Sequence, residues 1–211
     1  MFFLLDFQKH LRVNFSTPPF VFKDINFKNQ DIMKVLKWIL IVVVSIIGLI
    51  LLTALFVNKD FAVEKQIEIN KPKQEVYNYV VLLKNQNNFS KWASMDPQME
   101  KTFKGTDGTV GFISAWKSNN KDVGAGEQEI TKIDPGKRID YELRFKEPMK
   151  DTNIAYMTVD SIGESKTLVK WGFSGKMDYP GNIMLLFLDF DKMIGGDFET
   201  GLQNLKVILE K

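Results

Sequence analysis

The side chains able to do chemistry in this 211-residue chain are carboxylates, amines, hydroxyls and aromatic rings. The sequence contains no cysteine, which excludes thiol catalysis, disulfides and thiolate metal sites. Its one histidine, His10, precedes the region that has the pattern of a folded domain. A Ser-His-Asp triad or a histidine-bound zinc ion inside that domain is therefore excluded, and we expect no metal and no cofactor.

Acidic residues offer the remaining route to acid–base catalysis. Side chains two apart on a strand share a face at about 7 Å, close enough for two carboxylates to act together. The candidates are Glu127 with Glu129, Asp140 with Glu142, the loop residue Asp96, and Asp189 with Asp191. Solvated strand faces, an Asp-Pro turn and a solvated helix edge account for the same residues without catalysis. We therefore assign no catalytic residue.

Aromatic and methionine side chains are plentiful after Phe61. They fit either a well-filled core or the wall of an apolar cavity, since concave apolar walls bind lipids and polycyclic molecules. We expect the following residues to line such a cavity and to bind a ligand there: Trp92, Trp116, Tyr141, Phe145, Trp171, Phe173, Met184 and Leu188.

The charge distribution argues against nucleic acid as a partner. The net charge is +2, and residues 58–211 carry 22 Lys and Arg against 23 Asp and Glu. A neutral domain without a basic run has little attraction for a phosphate backbone. The glycines of GTDGTVG at 105–111 form a hairpin signal and lack the spacing of a phosphate-binding loop.

A run of twenty uncharged residues, Trp38–Val57, is long enough to cross a bilayer as a helix. At 1.5 Å per residue, it spans roughly 30 Å, the thickness of the hydrocarbon core. We predict a transmembrane helix at 34–57, with the membrane as a partner through Trp38–Val57. A cleaved signal peptide and a buried core helix are the alternatives. The run is longer than the roughly 7–15 apolar residues of a signal peptide, and it has no polar face.

The flanks of the run complete the N-terminal prediction. Lys34 and Lys37 precede the span, with Lys23 and Lys28 further back, and Lys59 and Lys65 follow it. This modest asymmetry favours an inside N terminus and a domain on the periplasmic or extracellular side. Residues 1–32 have scattered phenylalanines and no sustained period. We expect them to be a disordered tail or an upstream translation extension.

Residues 58–211 have the pattern of one α+β domain. A strand at 61–69 and a helix at 73–83 come first, and about six strands follow, including one predicted at 109–116. The clearest alternation of apolar and charged residues lies at 138–145. A final helix has Phe198, Leu202, Leu205 and Leu209 at helical spacing. An antiparallel sheet buries one face, so the terminal helices must cover it.

Five local strings in this domain carry a family resemblance. They are IEINKPKQEVYNYV at Ile67–Val80, KWASMDP at Lys91–Pro97, FKGTDGTVG at Phe103–Gly111, GAGEQEITKI at Gly124–Ile133 and GGDFETGLQNLK at Gly195–Lys206. The strings and the element order resemble the START-like superfamily, also called SRPBCC, in its polyketide cyclase/dehydrase-like branch. The resemblance implies a helix-grip fold, in which a curved antiparallel sheet wraps around a long C-terminal helix and leaves an apolar cavity.

Together these observations predict a membrane-anchored binding module for a hydrophobic small molecule or lipid. Two alternatives stay open at this point. One is a cyclase-, dehydratase- or hydrolase-like enzyme that uses a cavity carboxylate. The other is a non-catalytic envelope interaction module whose cavity is vestigial. The sequence leaves the ligand and the oligomeric state open.

Overall fold

The computed structural model describes residues 29–211; most of the predicted N-terminal tail, residues 1–28, lies outside the described residues. The α-helices are α1 (Asn29–Ala54), α2 (Lys73–Val80), α3 (Gln86–Phe89), α4 (Lys91–Met95) and α5 (Gly196–Leu209). The strands are β1 (Asp60–Ile69), β2 (Glu100–Lys104), β3 (Ile113–Lys117), β4 (Ala125–Asp134), β5 (Arg138–Glu147), β6 (Asp151–Gly163) and β7 (Lys166–Lys176). Short 3-10 helices at Leu83–Asn85 and Gly181–Leu186 and a π-helix at Asp191–Gly195 complete the elements.

Helix α1 contains the apolar run. It begins at Asn29, upstream of the predicted start at 34, and ends at Ala54, before the predicted end at 57. Its part from Asp31 to Ala54 is long and apolar enough to cross a membrane. The chain divides into two compact units between Ile47 and Gly48, so residues 48–211 are described below as a unit of their own.

Within the described residues, seven strands form one antiparallel sheet in the order β1-β7-β6-β5-β4-β3-β2. Strands β2 to β7 form a meander, and β1 adds to it by pairing with β7 over its whole length, from Asp60 opposite Lys176 to Ile69 opposite Thr167. The predicted α+β helix-grip class is confirmed.

Alternation along the strands separates a dry face from a wet face. On β5, Ile139 and Tyr141 are buried on the inner face. On the outer face, Arg144 pairs with Glu127 at 2.7 Å and with Glu129 at 2.8 Å. An amphipathic strand in a one-sided sheet has this arrangement, because one face meets the core and the other meets water.

Helices α2 and α5 cover the inner face of the sheet. Helix α2 buries Val76 and Val80 against it, and α5 buries Leu202 and Leu205. The far end of α5 is tied to the end of β1, since the Glu210 carboxylate accepts a hydrogen bond from the Asn70 backbone N–H at 2.5 Å. The core is thus a sheet-on-helix layer, as the sequence pattern predicts.

The segment between β2 and β3 differs from the strand that the sequence predicts at 109–116. Strand β3 begins only at Ile113. Gly111 has a φ of +87°, in the left-handed region, which interrupts extended backbone. The segment still meets β4, because the Gly111 N–H donates to the Ile130 carbonyl at 2.8 Å and the Ile130 N–H donates to the Phe112 carbonyl at 2.9 Å.

Candidate functional site

A cavity of about 690 Å³ lies between the inner face of the sheet and the N-terminal part of α5. Its volume falls within the roughly 300–1,000 Å³ typical of small-molecule sites. Strands β3 to β7 supply its floor, and α4, the π-helix and α5 supply its opposite wall. Charged residues at its mouth are Lys101, Asp122, Glu147, Lys150, Asp151, Lys176 and Asp178.

The floor of the cavity is a row of residues that face one another across neighbouring strands. Ser114 pairs with Gln128, Gln128 with Leu143, and Leu143 with Asn153. All four line the cavity. Directly paired residues of an antiparallel sheet point to the same face. The register alone therefore places Gln128, Leu143 and Asn153, a polar–apolar–polar sequence, in the floor of the cavity.

Gly175 makes room for one end of this row. A Cβ added at Gly175 would overlap the Asn153 Oδ1 atom and lie 2.6 Å from the Phe61 Cζ atom. Phe61 is the β1 partner of Gly175, and its ring stacks on Phe190 at 4.1 Å between centroids. A glycine at this position therefore lets both the Asn153 amide and the Phe61 ring lie close to the backbone of β7.

Two groups of aromatic rings form the walls. Trp171 packs edge-to-face on Phe198 at 4.8 Å and on Trp92 at 6.3 Å, between ring centroids. On another side, Trp116 packs edge-to-face on Phe145 at 6.0 Å. All five rings line the cavity. Edge-to-face pairs hold the rings in fixed orientations, so the wall is a preformed apolar surface.

The structure brings together five of the eight residues predicted to bind a ligand. Those that line the cavity are Trp92, Trp116, Phe145, Trp171 and Phe173. Tyr141 lies in the closed core, fully buried, and burial raises the pKa of its hydroxyl far above the usual value. Met184 and Leu188 lie in the segment after β7, outside the lining, and Met184 is exposed.

Two amides are the buried uncharged polar groups of the floor. Gln128 is 8% exposed and Asn153 is 3% exposed. Asn153 donates through Nδ2 to the Asp151 carboxylate at 2.9 Å. Its Oδ1 atom and the Gln128 Nε2 atom have no hydrogen-bond partner among the described residues. Buried polar atoms without partners are rare, and a water molecule or a ligand in the cavity could supply the missing bond.

A comparison of the sequence with protein-family models identifies the family of this chain. The model described as "Polyketide cyclase / dehydrase and lipid transport" matches residues 60–210, which hold the whole sheet and α5. The chain belongs to this family. The predicted SRPBCC resemblance is thereby confirmed.

Solved structures with similar folds are distant in sequence. The solution structure of the Aha1 dimer from Colwellia psychrerythraea is 15% identical, covers 71% of this chain and 96% of its own, and has a TM-score of 0.49. The crystal structure of protein CV1439 from Chromobacterium violaceum is 14% identical, with coverages of 71% and 97% and a TM-score of 0.49. Among curated proteins, none matches the sequence.

The acidic pairs of this polyketide cyclase/lipid transport family member lie on the outer face of the sheet. Lys146 and Arg144, which donate to Glu127, lower the pKa of that carboxyl. Asp140 accepts a hydrogen bond from Arg138 at 2.7 Å. These carboxylates are solvated partners of cations and are remote from the cavity lining.

The other acidic candidates also have structural partners. Asp96 accepts hydrogen bonds from the Ser118 hydroxyl at 2.5 Å and from the Gln98 N–H at 3.1 Å, which ties the loop after α4 to the end of β3. Asp191 pairs with Lys65 at 2.9 Å. Hydrogen bonds from Lys192 lower the pKa of Asp189. In the described part of the chain, no group of three His, Asp or Glu side chains could hold a metal ion.

Sequence reasoning missed several lining residues that the family fold brings to the cavity. Among them, Gln128 and Asn153 show what signal in the sequence could have identified them. Gln128 is two residues from buried Ile130, and Asn153 is two residues from buried Ala155, so both occupy inward positions of their strands. A polar residue in phase with buried apolar residues is a signal visible in the sequence. Phe61, Phe190 and Phe198 also line the cavity.

Proposed function

We propose that this protein is a membrane-anchored binding module that holds a hydrophobic small molecule or lipid between its sheet and α5. The observation that carries the proposal is the 690 Å³ cavity walled by Trp92, Trp116, Phe145, Trp171 and Phe173. A core that filled itself would leave no space of this size, because protein interiors pack to crystal density. Burial of an apolar ligand against these rings supplies the driving force.

The two floor amides narrow the ligand class. Gln128 and Asn153 are neutral, so they favour a hydroxyl, carbonyl or amide group over a charged one inside the cavity. Leu143, which lies between them on the floor, provides an apolar surface at the same depth. The ligand that fits is a largely apolar molecule with an uncharged polar group, its remaining surface against the aromatic walls.

Retention of α1 as an anchor is supported by a contact within the unit 48–211. The Asn182 side chain donates to the Ala54 carbonyl at 2.7 Å and to the Val57 carbonyl at 2.9 Å. Removal of α1 as a signal sequence would deprive this buried amide of its Ala54 acceptor. Lys34 and Lys37 before the span, with Lys23 and Lys28 further back, favour the periplasmic or extracellular side for the domain.

Catalysis has weaker support than binding. A carboxylic acid of raised pKa inside the cavity would be the expected catalytic group in a domain without histidine. Among the described residues, the carboxyl groups with displaced pKa values are Glu64, Glu127 and Asp189. All three pKa values are lowered, and none of these groups lines the cavity. Binding is thus the function best supported by the geometry.

Site-specific photocrosslinking tests the proposal without knowledge of the ligand. Benzoylphenylalanine replaces Phe145 in the full chain, the cells are irradiated, and the mass of the peptide that carries position 145 is measured. We expect one or a few discrete adduct masses, each of a molecule with an apolar body. Adducts should decrease when Leu143→Trp, which narrows the cavity at its floor, is added.

The matched control carries benzoylphenylalanine at Phe103. This residue is an exposed aromatic on β2 and lies outside the cavity lining. Discrete adducts at 145 that are missing at 103 support binding. Absence of adducts at 145, or the same adducts at both positions, would overturn the proposal and favour a vestigial cavity.

A further inference from the structure

An exposed apolar surface lies beside the end of α1. Leu55 and Phe56 follow the helix directly, and Phe56 is 85% exposed. Met184, Leu186 and Phe187 follow β7, and Phe187 is 81% exposed. We call these five side chains the junction surface. Clusters of exposed large apolar side chains on a soluble domain are uncommon and mark contact with another apolar body.

Asn182 joins the two parts of the junction surface. It is fully buried, and both hydrogens of its amide are used, one on the Ala54 carbonyl and one on the Val57 carbonyl. The last carbonyls of a helix have no partner within the helix. The 3-10 helix Gly181–Leu186 is therefore fixed by its own side chain at the point where α1 ends.

From this arrangement we propose that the junction surface lies in the polar–apolar interface of the lipid bilayer. The proposal rests on the proposed anchoring by α1. If α1 spans the bilayer, the carbonyls of Ala54 and Val57 mark the depth at which the chain leaves it. Asn182 holds the 3-10 helix at that depth, so the apolar side chains two to five residues later meet lipid rather than water.

Charged residues limit how deeply this segment enters. Asp189 and Lys192 pair at 3.1 Å on the exposed side of the chain after Phe187. Both remain in the headgroup region, because charged side chains are costly in the hydrocarbon core. The segment thus lies along the surface, with Phe187 and Leu186 inserted and the ion pair among headgroups.

The same segment contributes to the cavity wall. Phe190 and Ile194, a few residues after Phe187, line the cavity. A stretch of about ten residues therefore has one set of side chains toward the ligand space and another on the junction surface. The segment therefore connects the proposed lipid contact with the cavity wall.

Lipid-borne quenching tests the placement in the full chain. Because the sequence lacks cysteine, single Phe187→Cys, Ile50→Cys and Ile162→Cys variants each carry one label. Each is labelled with a nitrobenzoxadiazole dye and reconstituted in phosphatidylcholine–phosphatidylglycerol vesicles with nitroxide lipids. Ile50 lies inside α1. Ile162 is at the end of β6 next to β7 and the far end of β1, roughly 30 Å of strand from Asp60.

The three positions separate the possible outcomes. We expect strong loss of fluorescence at 50 and 187 and little at 162. Quenching at 50 without quenching at 187 would overturn the junction-surface proposal and leave the anchor in place. No quenching at 50 would overturn the anchor itself. Equal quenching at 162 and 187 would show that lipid contact is not specific to the junction surface, which also overturns the proposal.

Discussion

The inner face of the sheet has a closed half and a hollow half, although the same strands build both. On β5, Ile139 and Tyr141 are fully buried, whereas Leu143 and Phe145 further along are half-buried and line the cavity. On β7, Val169 is buried and Phe173 faces the cavity.

Helix α5 explains the difference between the halves. Its C-terminal part lies over the closed half, where Lys206 donates to the Glu68 carbonyl at 2.7 Å and Leu205 is fully buried. Its N-terminal residue Phe198 is a wall of the cavity. The strand pattern is the same in both halves, so the covering element, and not the strand, decides whether a position becomes core or cavity lining.

Truncation of a side chain in each half is the strongest test. Leu205→Ala removes a fully buried side chain and leaves a sealed hole, which costs about 2–5 kcal/mol in the free energy of unfolding. Phe145→Ala widens a space that is already open, so we expect a loss of about 1–2 kcal/mol. Denaturant unfolding of the full chain in nanodiscs, followed by circular dichroism, measures both. Equal losses would contradict the division into halves.

Gly175→Ala tests the packing at the end of the hollow half. The added methyl group would overlap the Asn153 amide and press on the Phe61 ring, and we expect a cost of about 1–3 kcal/mol in the free energy of unfolding. Gly163→Ala is the control, because its Cβ would meet only the Lys166 Cβ atom, at an ordinary 3.5 Å. Denaturant unfolding should show little change for Gly163→Ala. An unchanged free energy of unfolding in Gly175→Ala would mean that the Asn153 amide and the Phe61 ring move aside at no cost, which would contradict tight packing at this position.

The sequence predicts the elements well because each depends on a local pattern. Alternation at 138–145 identifies β5, and helical spacing from Phe198 to Leu209 identifies α5. The strand predicted from 109 fails because the conformation of Gly111 is not encoded by the alternation around it. Local patterns therefore specify which face of an element is dry.

The site is less predictable, because it depends on how far α5 reaches over the sheet. Tyr141 and Phe145 have the same phase on β5, and only the tertiary arrangement separates the core tyrosine from the lining phenylalanine. Gln128 and Asn153 become recognisable as partners only through the register that aligns them with Leu143. Periodicity supplies the phase of a residue but not the element that lies opposite it.

A buried polar side chain in each half of the inner face extends the comparison, with smaller expected effects on the free energy of unfolding. In the closed half, Thr167 is fully buried and donates to the Lys71 carbonyl at 2.7 Å. Thr167→Val leaves that carbonyl without its partner and should cost about 1–2 kcal/mol. Asn153→Leu removes an amide whose oxygen has no partner in the described structure and whose Nδ2 donates to the exposed Asp151 carboxylate. Because water can replace that donor, we expect a change within about 1 kcal/mol.

Two measurements follow for this pair. Denaturant unfolding compares the stabilities, and photocrosslinking at position 145 compares the adducts. Asn153→Leu should reduce the adducts of a ligand with a polar group, whereas Thr167→Val should leave them unchanged. A large loss of stability in Asn153→Leu with unchanged adducts would contradict a role of this amide in the ligand space.

Substitutions on the outer face of the sheet should have the smallest effects on the free energy of unfolding. The Tyr156 hydroxyl donates to Glu64, which lowers the pKa of that carboxyl below 4.5, and Lys170 adds to this effect. A lowered pKa favours the charged form in the folded protein, so this stabilisation is present above pH 4.5 and is lost as the pH falls below it. Glu64→Gln should make the free energy of unfolding less dependent on pH on the acid side. Denaturant unfolding between pH 3 and pH 6 measures this, because the range extends about one and a half units on each side of the ordinary carboxyl pKa.

Tyr156 has the complementary dependence on the alkaline side. Burial and the bond to Glu64 raise its pKa to about 12. The folded protein therefore keeps a proton that the unfolded chain releases above pH 10, and stability falls as the pH rises from about 10 to about 12. Tyr156→Phe should remove this loss, and it should leave the adducts at position 145 unchanged, since Tyr156 projects from the face opposite the cavity. Altered adducts would show that the two faces are coupled, because a change on the wet side would then reach the ligand space through the sheet.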